Sequence, residues 1–267
     1  MSVNVTHCPC SGNEFAFMFA TNMRAVAGQP PILGYFLQCP QCGLIRLRED
    51  QCLPDEAYAD GTYRESIKDA LRPTWWKDAE EQGAAFAELM ALPEGESVAD
   101  IGAGYGFFLK ALPGRRRLAI EPNEEARRAI NDLGIAERDA GDPNPVMNGP
   151  EIPGEWPDPF DHVVCILTLE HVESPWAVLK RARRLMHTET QVHVVLPALD
   201  VERAFIDPRY RQVWFCAQHR WYFTPDAMMQ VYRDCGFKPQ PGLRWERRDG
   251  WRYSYLPAVV DPEWVER

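Results

Sequence analysis

Two histidines stand where proton chemistry is plausible: His171 in Leu169-Glu170-His171-Val172, and His219 in Gln218-His219-Arg220-Trp221-Tyr222-Phe223. An imidazole titrates near neutral pH, so either ring is suited to take a proton from a reacting group. Tyr222 and Glu170 are weaker candidates for the same task. Positioning or packing is the competing role for all four. Three glycines, Gly102, Gly104 and Gly106, alternate after the short apolar run Val98-Ala99-Asp100-Ile101. Without a Cβ, such a turn takes positive φ and lets a ligand approach the main chain. A nucleotide-like ligand is implied.

Four of the eight cysteines fall in two close pairs, Cys8-Pro9-Cys10 and Cys39-Pro40-Gln41-Cys42-Gly43. A C-x-x-C-G knuckle can place two thiolates on one ion, and a second pair returning after a loop completes a tetrahedral set, for which zinc is the natural metal. The first pair is shorter than usual, and His7 offers an alternative ligand with Cys10. A disulfide is disfavoured in a reducing compartment, and simple buried thiols are disfavoured by the proline-punctuated pairing. Four protein ligands leave no open position, so the ion is read as structural.

The glycine spacing decides which nucleotide is expected. A dinucleotide fingerprint needs glycine at position 107, where this chain has phenylalanine. What stands instead is D-x-G-x-G-x-G from Asp100 to Gly106, followed by a second apolar run ending in an acid, Leu118-Ala119-Ile120-Glu121. This arrangement resembles the first two motifs of class I S-adenosylmethionine (SAM) dependent methyltransferases, and the resemblance runs on to about residue 260. It implies a Rossmann-like α/β fold, a mostly parallel sheet ending in an antiparallel hairpin. It also implies that Asp100, Gly102, Ala103, Gly104, Gly106, Glu121 and Pro122 border SAM, with Glu121 on the ribose hydroxyls. Leu167 and Thr168 follow at the end of the fourth strand, and Asp139 or Asp142 would meet adenine. Under this resemblance His171 and His219 lie in loops facing the methyl group.

The front of the chain is similar to the zinc-binding N-terminal segment of nucleotide-sugar C-methyltransferases and their relatives, whose extra C-terminal domain is not expected here. Tyr58 and Tyr63 are candidates for covering the substrate side. The expected organisation is a zinc-binding segment over residues 1–65 and a methyltransferase domain over 66–267. Within the latter an insert at about 197–223 carries Arg203, Arg209, Arg211, Arg220, Trp214 and Trp221. It reads either as a cover over an anionic substrate or as a solvated basic loop with its tryptophans in the core.

The elements that must position these residues follow from periodicity. Helices are expected from Trp75 to Leu92, Asn123 to Leu133, Pro175 to Met186 and Pro225 to Cys235. Strands are expected at 98–101, 118–121, 134–137, 160–167 and 191–196, and a hairpin about Asp249-Gly250. Six prolines between 143 and 159 mark a surface loop.

At 267 residues, 45% hydrophobic and 25% charged, the chain can bury a substantial core. Its net charge of −10 makes it a poor partner for polyanions. No membrane span or signal segment is evident, so a cytoplasmic protein is expected. The expected activity is methyl transfer from SAM to a small biosynthetic intermediate, with anionic compounds such as nucleotide sugars or natural-product precursors among the candidates. An RNA methyltransferase with a zinc knuckle and a non-enzymatic SAM-binding sensor or scaffold are the alternatives.

Overall fold

The computed structural model describes residues 7–9, 12–23, 32–54, 56–60, 75–134, 146–147, 158–246 and 252–265. In chain order the strands are β1 (Ala16–Met23), β2 (Ile32–Gln38), β3 (Ile45–Leu47), β4 (Val98–Ile101), β5 (Arg117–Ile120), β6 (Val146–Met147), β7 (Phe160–Ile166), β8 (Met186–Pro197), β9 (Trp221–Tyr222), β10 (Phe237–Pro239), β11 (Leu243–Glu246) and β12 (Arg252–Val260). The helices are α1 (Glu56–Ala59), α2 (Trp75–Met90), α3 (Phe107–Lys110), α4 (Glu124–Asp132), α5 (Pro175–Ala182), α6 (Val201–Ile206), α7 (Pro208–Trp214) and α8 (Pro225–Asp234).

The main sheet has the order β10-β12-β8-β7-β4-β5-β6, with β11 also paired to β12. β4 pairs in parallel with β5 and β7, and β7 with β8. β12 returns antiparallel to β8 and forms the expected hairpin with β11, Leu243 opposite Tyr255 and Glu246 opposite Arg252. This is the anticipated Rossmann-like sheet. β4 is the first strand of this sheet in chain order, and β5 and β7 leave it on opposite sides, so a crevice opens at the carboxyl ends of these strands.

Both faces of the sheet are covered, as the alternation of its buried residues requires. Ala99, Ile101, Leu118, Ile120, Val163 and Cys165 pack with Trp176 and Leu179 of α5 and Val231 and Tyr232 of α8. Their neighbours Val98, Ala119, Val164 and Val195 point the other way, onto Phe86 and Met90 of α2 and onto Phe108, Leu109 and Ile130. Gly83 is needed in α2 because a Cβ there would lie 2.6 Å from the backbone of Phe107. Helix starts are clear in the chain: Ser174-Pro175, Asp207-Pro208 and Thr224-Pro225 each put a side-chain cap before a first-turn proline.

Three expected elements change. The strand beside β5 is Val146–Met147, inside the stretch read as a proline-rich loop. A two-residue edge strand tolerates flanking prolines because one side of it needs no donors. Gly134 itself is a turn residue with φ +58°, and residues 135–137 lie outside the described residues. Helix α5 stops at Ala182, and β8 begins at Met186, five residues before the expected strand start, because Met186 pairs with Phe160 ahead of a register shift. Thr190 fills that irregularity, its hydroxyl donating to the Phe160 carbonyl at 2.6 Å.

A second sheet, β1-β2-β3-β9, takes its last strand from the insert. Its core joins Met23, Phe36, Ile45 and Leu47 to Ala204, Tyr210, Phe215 and Tyr222. The insert therefore packs on the N-terminal strands. Its arginines are largely engaged there: Arg203 pairs with Asp207, Arg211 donates to the Ala204 and Phe205 carbonyls, and Arg220 donates to the Leu53 carbonyl. All three are held by contacts within the fold.

Within the main sheet His162 Nδ1 and His193 Nε2 lie 3.0 Å apart, and His193 Nδ1 is 2.8 Å from the Tyr255 hydroxyl. Burial, and then the neighbouring His162, push the His193 imidazole down to about 3. The unfolded chain takes up this proton near pH 6.5 whereas the fold refuses it until about 3, so stability present above pH 6.5 is lost as the pH falls. Wild type should thus lose its stability advantage over His193→Gln between pH 7 and 5, by about 2 kcal/mol. Thermal melts of both proteins across that range check this; a constant gap would mean that His193 titrates alike in the folded and unfolded chain.

Candidate functional site

At the carboxyl end of β4 the chain turns through Gly102, Gly104 and Gly106, all at positive φ. The Gly102 and Ala103 amides donate to the Ile120 carbonyl at 2.7 and 3.2 Å, tying the turn to the end of β5. Gly102 tolerates no side chain: a Cβ there would meet the Thr168 hydroxyl oxygen at 2.3 Å. The glycine turn and the loop after β7 are therefore in contact.

Glu121 is 2% exposed and organises the acid side of this crevice. One of its oxygens accepts the Gly104 amide at 2.8 Å and the other the Asn123 amide at 2.9 Å. A carboxylate can accept more than one hydrogen bond per oxygen, the chemistry that receives paired hydroxyl groups. Pro122 continues the turn, its carbonyl and that of Glu121 both held by Arg127. Asn123 caps α4 through the Ala126 amide and also donates to the Ala59 carbonyl of α1 at 3.2 Å.

Asp100 is buried beside this turn, and its Oδ1 has no hydrogen-bond partner. Burial, and then the Glu121 carboxylate, push its carboxyl up to about 8. Two buried acids, one with an unsatisfied oxygen, suit a ligand that carries positive charge and hydroxyl groups. SAM has an ammonium, a sulfonium and two ribose hydroxyls, and the residues fit it.

The loop after β7 begins with strain. Leu167 has φ +51°, which a branched side chain seldom adopts and which clusters at functional sites. Beyond Thr168, Glu170 is buried, 2% exposed, with neither carboxylate oxygen hydrogen-bonded. Burial pushes it up to about 7, against the opposing pull of His219. His171 Nδ1 lies 2.7 Å from the Gln218 carbonyl, and its Nε2 lies 3.9 Å from Glu170 Oε1. The His171 and His219 rings meet edge-on, centroids 4.8 Å apart.

The two loops are stapled through their backbones. The Glu170 carbonyl accepts the Arg220 and Trp221 amides at 2.8 and 3.2 Å, and the Trp221 indole donates to the Val172 carbonyl at 2.9 Å. Glu170, His171 and His219 thus come together, while Tyr222 turns inward. Its buried hydroxyl donates to the Cys216 carbonyl and accepts the Cys216 amide, and burial holds it well above the ordinary tyrosine range. Two further residues matter here: Gln218, which the sequence did not single out, and Tyr58, a candidate for covering the substrate side. Gln218 offers only its carbonyl, and Tyr58, 160 positions away, donates to that same carbonyl at 2.5 Å; no local pattern announces either contact.

Packed in the same core cluster as Trp221 and Phe223, the thiol sulfurs of Cys8, Cys39 and Cys42 gather within 4.8 Å of one another, Cys8 and Cys42 at 3.6 Å. His7 is exposed and outside this group. Cys10, Asp139, Asp142 and Tyr63 lie outside the described residues.

A family model described as a methyltransferase domain matches residues 75–240. The chain belongs to that family. It is a SAM-dependent methyltransferase, and solved structures share its fold. The Burkholderia thailandensis 1,6-didemethyltoxoflavin-N1-methyltransferase, bound to its substrate and S-adenosylhomocysteine, is 18% identical, covers 90% of this chain and 100% of its own, and gives a TM-score of 0.55. A chain from the Haloferax volcanii complex of the Trm112 methyltransferase activator with a methyltransferase is 15% identical over 69% of this chain and 93% of its own, at 0.52. A SAM-dependent methyltransferase from Thermotoga maritima is 18% identical over 67% and 89%, at 0.51. No curated protein sequence matches the chain. Among the described residues no helix is long and apolar enough to cross a membrane.

The methyltransferase's free Asp100 carboxyl is protonated at neutral pH and its charged form is favoured by a cationic ligand, so binding SAM should expel a proton. Affinity should then rise from pH 6 to 7.5, approaching tenfold per unit while Asp100 dominates. Calorimetry in buffers of different ionisation enthalpy reads the proton directly, and Asp100→Asn should abolish the release. Equal release from that variant would place the titrating group elsewhere.

Proposed function

We propose that this methyltransferase acts on a small biosynthetic intermediate, with nucleotide sugars and natural-product precursors as the candidate class. The observation that supports the reading is the contact of Thr168 with Gly102, which joins the glycine turn to the loop that carries Glu170 and His171. SAM supplies an activated methyl group, so the protein's task is to align the acceptor and remove its proton. His171 and His219 are the groups suited to that task, with Glu170 against them; Asp100, Gly102 to Gly106, Glu121, Leu167 and Thr168 hold the cofactor. A net charge of −10 and the engagement of the insert's arginines within the fold argue against RNA as acceptor. The Burkholderia neighbour acts on a small heterocycle, in keeping with this reading.

Cell extract incubated with the enzyme and methyl-labelled SAM, then fractionated, should carry the label in the small-molecule pool and lose it with His171→Ala. Label confined to RNA would overturn the reading, and binding of SAM without transfer to any fraction would favour a sensor.

We further propose that residues 1–65 form a zinc-binding segment of a cytoplasmic protein and that 66–267 hold the catalytic domain. Cys8, Cys39 and Cys42 supply three thiolates to the ion and Cys10 the fourth. Such an ion contributes folding free energy and no chemistry. Chelation or Cys39→Ser should therefore lower the melting temperature, by several degrees, while SAM affinity changes less than about threefold. Metal analysis without zinc would remove this part of the proposal.

A further inference from the structure

We propose that Glu170, His171 and His219 bind one divalent transition-metal ion through two imidazole nitrogens and a carboxylate. The proton arrangement leads to this. The Gln218 carbonyl can only accept, so His171 carries its proton on Nδ1, and the lone pair of a neutral ring sits on Nε2. That lone pair faces Glu170 Oε1 across 3.9 Å. The gap is too long for a hydrogen bond, so a proton shared between the two does not explain it. It is within the span of two bonds of about 2.1 Å to a common ion.

Glu170 supplies a second, independent indication. It is 2% exposed and both its oxygens lack a hydrogen-bond partner, a costly state for a carboxylate that a cation would relieve. His219 completes the set: its ligand nitrogen, that of His171 and the carboxylate oxygen all lie within 4.8 Å of one another. A ring N–H donated to a backbone carbonyl, as His171 donates to Gln218, is the usual second contact of a metal-bound histidine. Next to the set lies a cavity of about 10 Å³, lined by Glu170, His219, Leu196, Trp214, Trp221 and Tyr222, close to the room one water needs.

Two imidazoles and one carboxylate suit zinc, ferrous iron or manganese, and three protein ligands leave positions open. This set is separate from the three thiolates, which close on a different ion. An acceptor oxygen or nitrogen taking an open position would lose its proton more readily, so a bound ion would take over proton removal from the imidazoles whose lone pairs it occupies. That last role rests on the methyltransferase reading above; the site itself does not.

The test is titration of the chelator-stripped full chain with Co2+, followed by visible absorption. Thiolate-bound cobalt shows intense sulfur-to-metal charge transfer in the near ultraviolet, whereas a nitrogen and oxygen site shows only weak visible bands. We expect both signatures, the weak one saturating at one further equivalent. Glu170→Gln and His219→Gln should each raise the dissociation constant of the weak-band cobalt more than tenfold. The thiolate signature should persist in both variants and report that they are folded. Cobalt bound with the thiolate signature alone, or weak bands unchanged in both variants, would overturn the site. Calorimetric SAM binding separates the two readings: cobalt bound at Glu170 without SAM affinity leaves the ion site standing, and SAM affinity without that cobalt removes it.

Discussion

The site depends on one backbone carbonyl, that of Gln218. It accepts the Tyr58 hydroxyl from the N-terminal part of the chain and the His171 imidazole from the loop after β7, while itself belonging to the insert. Three segments far apart in sequence are joined at one atom. A single hydrogen bond contributes only about 0.5–1.5 kcal/mol to stability. Here its value is directional, because it fixes the His171 tautomer and aims the remaining nitrogen at Glu170. The Glu170 carbonyl does the converse, accepting two amides from the insert, so neither loop can shift without opening both contacts.

That arrangement offsets features which cost stability. Leu167 sits at positive φ, a strain of about 1–3 kcal/mol. Asp100 and Glu170 are buried acids with unsatisfied oxygens, each pushed upward by desolvation. Both lie at the carboxyl ends of the central strands, where Val98–Ile101 and Phe160–Ile166 are packed on both faces and the backbone is least able to yield. The apolar framework tolerates the strain at its rim. A site built to receive charge from a ligand is expected to be uncomfortable without one.

Much of this was legible in the chain. The glycine turn, the acid at the end of β5 and the hairpin about residues 249–250 are local signals, and each is encoded within a dozen residues. The capped prolines at 175 and 225 marked helix starts for the same reason. What escaped was set by tertiary contact. Val146–Met147 becomes a strand only because β5 offers an edge, and Met186 extends β8 only because Phe160 lies opposite. The insert's arginines read either as a cover over an anionic substrate or as a solvated loop, since sequence shows charge and not the carbonyls that Arg211 and Arg220 find. The histidines were visible as candidates; their convergence on Glu170 was not.

The N-terminal sheet is the piece whose purpose the insert explains. β3 pairs Ile45 with Tyr222 and Arg46 with Trp221, and Arg46 also lies over the Trp221 ring at 5.0 Å. Trp221 in turn donates its amide to Glu170 and its indole to Val172. The strand that follows the Cys39–Cys42 knuckle thus supports the residue that supports the carboxylate. Removing β1 to β3 would expose Ala204, Tyr210, Phe215 and Tyr222 and leave β9 without its ladder. A two-residue strand cannot hold its register alone. The N-terminal segment is therefore part of the scaffold of the histidine site. Among the described residues it meets the cofactor side through α1, where the Ala59 carbonyl accepts the Asn123 side chain next to Glu121. Helix α1 thereby touches both halves of the crevice, through Asn123 on the cofactor side and through Tyr58 on the histidine side, and so sets the distance between them.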